Sequence, residues 1–161
     1  MLHCSQVADL AVEIAVKKGL DLPIDEIREA AMLHDIGIFL TDAADIGCEG
    51  SAPYIMHGVL GADLLRREGA DEKYARVAER HTGAGITAGD ISRQNLPMPV
   101  GDYVPHSLLE RLICYADKFY SKSGDMKIKP LDKVVRSMDR LSGDTLERFM
   151  DMHREFSIFG E

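Results

Sequence analysis

Tryptophan is absent from this chain, and aromatic residues make up only 6% of it. No run of alternating apolar and polar residues is long enough for a confident strand, which argues against a sheet-based fold. Cysteine is scarce. Cys4, Cys48 and Cys114 form no CxxC pair, and their odd number suits no disulfide framework. They read as reduced thiols in a cytoplasmic protein, with a reactive or ligating thiol at Cys4, beside His3, as the alternative. No apolar stretch approaches the roughly 20 residues that span a bilayer. The N-terminus lacks the basic start and apolar core of a signal peptide. These absences predict a protein that is neither membrane-bound nor secreted. Internal repeats and low-complexity segments are also missing, as are the basic clusters of a nucleic-acid binder.

What is present suits one all-α domain over residues 1–161. Hydrophobic residues make up 45% and charged residues 29%, enough apolar material for one core. Ala, Leu, Glu, Arg and Met are abundant and favour helix. The net charge of -8 and pI of about 5.2 disfavour non-specific binding to nucleic acid or anionic membranes. An anionic substrate is still allowed, because a bound metal ion can invert the field inside one pocket.

Helical spacing predicts a first helix from about His3 to Lys18, with Val7, Leu10, Ala11 and Ile14 on one face. A second opens at Pro23-Asp25 and runs to about Leu33, with Gly37 expected to end it in the left-handed conformation. Residues 38–52 read as an acidic loop. A third helix is expected from Ser51-Ala52-Pro53, with Ser as cap, to Gly69. A fourth spans about Asp71 to His81. Residues 83–105 read either as a functional loop such as a lid, or as a spacer with one helical turn around Ala88–Asn95. A fifth helix is predicted from Ser107 to about Lys122. Two amphipathic packing helices, about Pro130–Leu141 and Asp144–Phe156, follow with no obvious chemistry.

The chemistry lies in an ordered set: His3, His34-Asp35, His57, His81 and Asp117. Five of the six fall on the apolar face of a predicted helix or at its inner end, and Asp35 adjoins one. Singly, each reads as a buried structural histidine, a frayed terminal residue or a salt-bridged aspartate. Together, four imidazoles and two carboxylates aimed at one core are costly unless paired or bound to metal. A divalent metal site satisfies all of them. Imidazole with carboxylate suits Fe, Mn, Co, Ni or Zn rather than Ca.

The segment His34-Asp35-Ile36-Gly37 reads HDIG and resembles the hallmark of the HD-domain superfamily of phosphohydrolases. LHCSQVADLAVEIA resembles that superfamily's first-ligand helix, and MHGVLGADLL and AERHTGAG its third- and fourth-helix histidine elements. LLERLICYADKFYSK resembles its final metal-aspartate helix. The resemblance covers residues 1 to about 122. It implies a bundle of about five core helices, followed by a C-terminal helical packing segment over about 130–156. It also implies one or two divalent transition-metal ions, with iron or manganese favoured. His3, His34, Asp35 and Asp117 would hold the first. His57 and His81 would hold the second, or face the substrate phosphate. The chain starts two residues before His3, so the first-ligand helix looks cut short. Ile38 stands where many relatives have a phosphate-contacting lysine, and the GYP element of the cyclic-dinucleotide enzymes is missing.

The implied function is hydrolysis of a phosphate ester or anhydride, as a phosphomonoesterase or phosphodiesterase. The substrate would be a small phosphorylated metabolite, a nucleotide above all, with no nucleic acid or membrane partner; a homodimer is an allowed assembly. Metal-activated hydroxide would attack the phosphorus. Asp35 would orient it, and His57 or His81, if not ligating, would protonate the leaving oxygen. Arg80, Lys118 and Lys122 are the nearest cations in sequence to clamp phosphate, with Thr82 as a hydrogen-bonding neighbour. Each alone reads more simply as a solvated helix charge or a turn cap. His106 reads as bystander surface. The alternatives are a di-iron oxygenase on the same ligand set and a non-catalytic sensor or interaction domain.

Overall fold

The computed structural model describes residues 2–124 and 127–159. Met1, Gly160 and Glu161, at the ends of the predicted 1–161 domain, lie outside the described residues, as do Asp125 and Met126. Eight α-helices account for most of the described residues: α1 (Leu2–Lys18), α2 (Ile24–Leu33), α3 (His57–Arg67), α4 (Glu72–Arg80), α5 (Ala88–Gln94), α6 (Leu108–Asp117), α7 (Leu131–Leu141) and α8 (Gly143–Phe156). The all-α expectation holds.

The order of packing follows from where apolar residues recur. On α1, Val7, Leu10, Ala11 and Ile14 are buried, as the spacing predicts, and the helix lies against α2 and α6. Helix α6 is the axis of the fold. Every residue from Leu109 to Asp117 except Arg111 is buried on it, and it touches α1, α2, α4 and α8. Helices α7 and α8 pair with each other, and Phe149, Met152 and Phe156 of α8 join the central core. Phe149 stacks on Tyr115 of α6 with ring centroids 5.7 Å apart. Enclosing three such side chains contributes on the order of 2 kcal/mol each.

Several expected boundaries shift. Gly37 is not left-handed: its φ is -81°. Its lack of a Cβ serves close approach instead, since a Cβ there would lie 2.2 Å from the His57 carbonyl oxygen and 2.4 Å from the Gly61 amide nitrogen. Gly58 plays the same part between α3 and α4, where a Cβ would lie 2.6 Å from the Ala78 carbonyl oxygen. Residues 38–52 are more ordered than a loop. A two-residue antiparallel pair, β1 (Asp42–Ala43) and β2 (Cys48–Glu49), sits between tight helical turns. The α-helix expected from Ser51 begins at His57, after one tight turn at Tyr54–Met56, and Ser51 does not cap it.

Asp71 caps α4, its side chain accepting from the Lys73 amide at 3.0 Å. Within residues 83–105, the short helix is the alternative that the structure takes. Thr87 and Asp90 form a reciprocal capping box at the start of α5. Arg148 of α8 then ties the segment down, donating to the Ala84 and Gly85 carbonyls at 3.0 and 3.1 Å and to Asp90 at 3.0 Å. Helix α6 ends at Asp117, a turn earlier than predicted. The Lys118–Lys122 stretch that follows is turn and bend rather than helix.

Candidate metal centre

The six residues picked out in the sequence converge. His3 lies in the first turn of α1, and His34 caps the end of α2 with Asp35 next to it in the turn. His57 opens α3, His81 caps the end of α4, and Asp117 closes α6. All are buried or nearly so; His34, His57 and His81 are at most 2% exposed.

Three of the imidazoles share one local geometry. Each donates Nδ1–H to the carbonyl three residues earlier: His34 to Ala31 at 2.6 Å, His57 to Tyr54 at 2.7 Å and His81 to Ala78 at 2.7 Å. Ala31 and Ala78 lie in the last turns of α2 and α4, whose final carbonyls lack intrahelical partners, whereas the Tyr54 carbonyl also accepts the His57 amide. The bond commits Nδ1–H and leaves Nε2 as the nitrogen aimed inward.

Asp35 lies at the middle. Its Oδ1 is 3.1 Å from His81 Nε2 and 3.6 Å from His57 Nε2. Its Oδ2 is 3.2 Å from His34 Nε2 and 3.5 Å from His3 Nε2. Asp117 Oδ1 completes the second side, 2.8 Å from His3 Nε2 and 3.2 Å from His34 Nε2. The donors thus fall into two groups that share Asp35: His3, His34, Asp35 and Asp117, and Asp35, His57 and His81.

The chemistry of this donor set fits divalent cations. His57 Nε2 and His81 Nε2 are 3.0 Å apart. With both Nδ1 protons committed to carbonyls, two lone pairs face each other across that gap, a repulsive contact in a protein-only site. A cation that accepts both relieves it, and donors about 3 Å apart suit a shell with metal–nitrogen bonds of about 2.1 Å. His3 adds a buried Nδ1 with no hydrogen-bond partner among the described residues.

Electrostatics separates the two groups. Burial alone would raise the carboxyls, but His34 and His81 hold Asp35 well below the ordinary carboxylate range, and Lys118, Lys122, His3 and His34 do so for Asp117. Burial opposes a charge on His34, yet Asp35 and Asp117 lift it well above the usual imidazole range. Burial and the neighbouring His81 push His57 down to about 3, and burial also lowers His81. One side therefore has two ionised carboxylates and attracts positive charge. The other presents neutral rings.

Two of the predicted cations lie at the centre. Lys122 Nζ is 3.2 Å from Asp35 Oδ2, and Lys118 Nζ donates to Asp117 Oδ2 at 2.7 Å and to the His81 carbonyl at 2.8 Å. Arg80 instead pairs with the buried Glu110 of α6 at 3.0 Å. Thr82 lines a separate crevice of about 130 Å³ with Ile55, Ile86 and Leu141. His106 is exposed, and its amide donates to Glu110. Cys4, Cys48 and Cys114 are free thiols.

A cavity of about 420 Å³ opens on the centre, lined by His3, Asp35 and Lys122 on its polar side and by Met32, Ile36, Ile38, Phe39 and Ile46 on its apolar side. Ile38 thus forms apolar wall at the position where a phosphate-contacting lysine was missed, and Lys122 supplies an ammonium to the same cavity. Sequence reading did not single out Tyr54, whose ring lies 4.6 Å from that of His57 and 5.8 Å from Lys122 Nζ. Nor did it single out Lys129, which reaches the Lys118 carbonyl at 3.3 Å. Lys129 lies outside the predicted ligand helices, and Tyr54, although within the helix expected from Ser51, belongs to no metal-ligand residue type, so the ligand pattern did not flag either.

Comparison with known proteins agrees with this arrangement. An uncharacterised protein of Methanocaldococcus jannaschii is 35% identical over 144 residues, covering 88% of this chain and 76% of that protein. The tRNA (cytidine(56)-2'-O)-methyltransferase of Thermoplasma volcanium is 32% identical over 155 residues, covering 96% of this chain and 41% of the enzyme. Ribonuclease Y of Thermobifida fusca is 38% identical over 81 residues, 50% of this chain and 14% of that protein. The chain thus spans less than half the length of these last two relatives. No solved structure matches the chain significantly. A family model for the HD domain matches residues 2–144, a span that takes in every member of the cluster. The HDIG segment and the cluster around it are those of a chain that belongs to the HD-domain family.

Proposed function

We propose that this protein is a metal-dependent phosphohydrolase acting on a phosphate ester or anhydride of a nucleotide or related metabolite. The observation that carries the reading is the facing pair of His57 and His81 Nε2 atoms, 3.0 Å apart beside an Asp35 whose two oxygens point to opposite halves of the cluster. His3, His34, Asp35 and Asp117 would hold one divalent ion, and Asp35, His57 and His81 a second. Nitrogen and oxygen donors without thiolate suit Fe, Mn, Co, Ni and Zn alike, and the HD-domain resemblance is what favours iron or manganese among them. When bound, such an ion lowers the pKa of its water from 15.7 to roughly 7 and offsets charge on a phosphoryl group.

The chain's own groups do the rest. Asp35 orients the attacking oxygen from the middle of the cluster. Lys118 fixes the outer oxygen of Asp117. Lys122 lies beside Asp35 on the cavity wall, where its ammonium can hold an anionic phosphate against the centre. His57 and His81, held neutral with Nδ1–H committed, offer lone pairs, which suits ligation better than proton donation to a leaving group. The apolar side of the cavity takes the non-phosphate part of the substrate. Phe39, 56% exposed there, offers a face to a nucleobase.

Metal analysis of freshly purified protein, joined to a screen of phosphorylated metabolites, tests this reading. One to two transition-metal ions per chain and metal-dependent phosphate release are expected. Full activity after chelation and in Asp35→Ala would sink it, and iron with an oxygen-dependent absorbance change but no phosphate release would favour the oxygenase. RNA is a second reading, favoured by the names of the methyltransferase and ribonuclease Y relatives. The net charge of -8 weighs against a broad RNA-binding surface. A short oligonucleotide in the same screen separates the two.

A further inference from the structure

Beside the cluster, apart from the cavity that Phe39 lines, lies a second cavity of about 350 Å³. Its character is opposite to that of the protein as a whole. Lys118, Lys122 and Lys129 all line it, with Ser121 and Ser123 between them in sequence and Tyr120 on the wall. Two of the three ammoniums already have carboxylates: Lys118 has Asp117 and Lys122 has Asp35. Lys129 has none among the described residues. It donates to the Lys118 carbonyl, a long bond at 3.3 Å, and keeps further N–H donors in hand. Burial, against the pull of Asp117, together with Lys118, Lys122 and Lys133, holds its ammonium below the ordinary lysine range. Helix α7 closes the far side with Val134 and Met138, so this helix does more than pack. Asp117 and Lys122 line this cavity and also belong to the centre, so the two spaces adjoin.

A half-buried cation without an anion, beside two others and several hydroxyls, is a site built for a negatively charged group. We propose that this cavity binds a second phosphate of the substrate while the scissile phosphate sits at the metal cluster, with Lys129 as the residue that selects for it. The substrate class is then a nucleotide with two phosphate groups, linked either by an anhydride or through one sugar. This rests on the reading of the cluster as a phosphohydrolase centre.

The test is binding at equilibrium, so that it stands apart from turnover. Metal-loaded protein is titrated with adenosine monophosphate, methylene-bridged adenosine diphosphate and adenosine 3',5'-bisphosphate. At least one two-phosphate probe should bind about tenfold more tightly than the monophosphate, the worth of one charge-assisted hydrogen bond. Which probe wins identifies the linkage. Lys129→Met should bring that ratio to about one, and Lys129→Arg should restore it. Ser137→Asp, an exposed change on the cavity rim, should lower the ratio without disturbing buried packing. Equal affinity for all three probes in the unaltered protein overturns the proposal. So does a preference that survives both Lys129→Met and Ser137→Asp. Absence of hydrolysis with the ratio intact would overturn only the reading of the centre.

Discussion

Around Asp35, the two halves of the cluster differ in charge, although His34 in one half and His57 and His81 in the other share one imidazole geometry. The His3–His34 half includes a second carboxylate, Asp117, whose outer oxygen is held by Lys118. The His57–His81 half has only neutral rings and its share of Asp35. Two carboxylates attract a divalent cation more strongly than one, and burial strengthens that attraction. The comparison teaches that one side chain can grade two halves of a cluster: on the proposed two-ion reading, the first half would be the tighter site and the second the more readily emptied.

The largest effect should come from removing what the halves share. Asp35→Ala should strip both ions and lower hydrolysis by roughly 10³-fold or more, with helix content by circular dichroism largely kept. Metal analysis alongside the assay checks this. A variant that keeps one full equivalent would show that the halves do not depend on a common carboxylate. His81→Ala should act on one half alone. Bound metal should fall toward one equivalent, and activity by roughly 10–100-fold. Loss of all metal would erase the grading.

Gly37 sets the spacing at the junction, so Gly37→Ala should destabilise the fold by about 3 kcal/mol, as the new Cβ meets the His57 carbonyl. Denaturant unfolding reads this out, and a change below about 0.5 kcal/mol would mean that the turn shifts freely.

The smallest effect concerns the link between helices α4 and α6, which end in His81 and Asp117. Glu110 of α6 accepts from Arg80 of α4 and from the His106 amide. Against the opposing effect of burial, those donors hold Glu110 below its ordinary 4.5. Its contribution is therefore present above pH 4.5 and is lost as pH falls through the lowered value. Glu110→Gln should cost about 1–2 kcal/mol at neutral pH, and the gap from the unaltered protein should close in acid. A gap that is constant with pH would remove the ionic part of this link.

Much of this was legible beforehand, for reasons that vary by residue. The face of α1 and the HDIG segment could be read because helical spacing and a short motif are local properties. The centre could be read because buried-face histidines and aspartates have few other uses. The early end of α6 could not, since Lys118–Lys122 continues a helical pattern and unwinds where Lys118 and Lys122 reach Asp117 and Asp35. Arg80 looked available for phosphate because Glu110, its partner, lies thirty positions away.

What the sequence determined by itself was the set of helices and the identity of six converging side chains, since propensity, periodicity and a motif act over a few residues. Only the tertiary structure decided that Asp35 divides its oxygens between two groups. It alone decided that Gly37 is needed for closeness rather than for a left-handed turn, and that α7 brings a wall to a lysine-lined cavity. Those outcomes depend on distances between segments far apart in the chain, which no local pattern encodes.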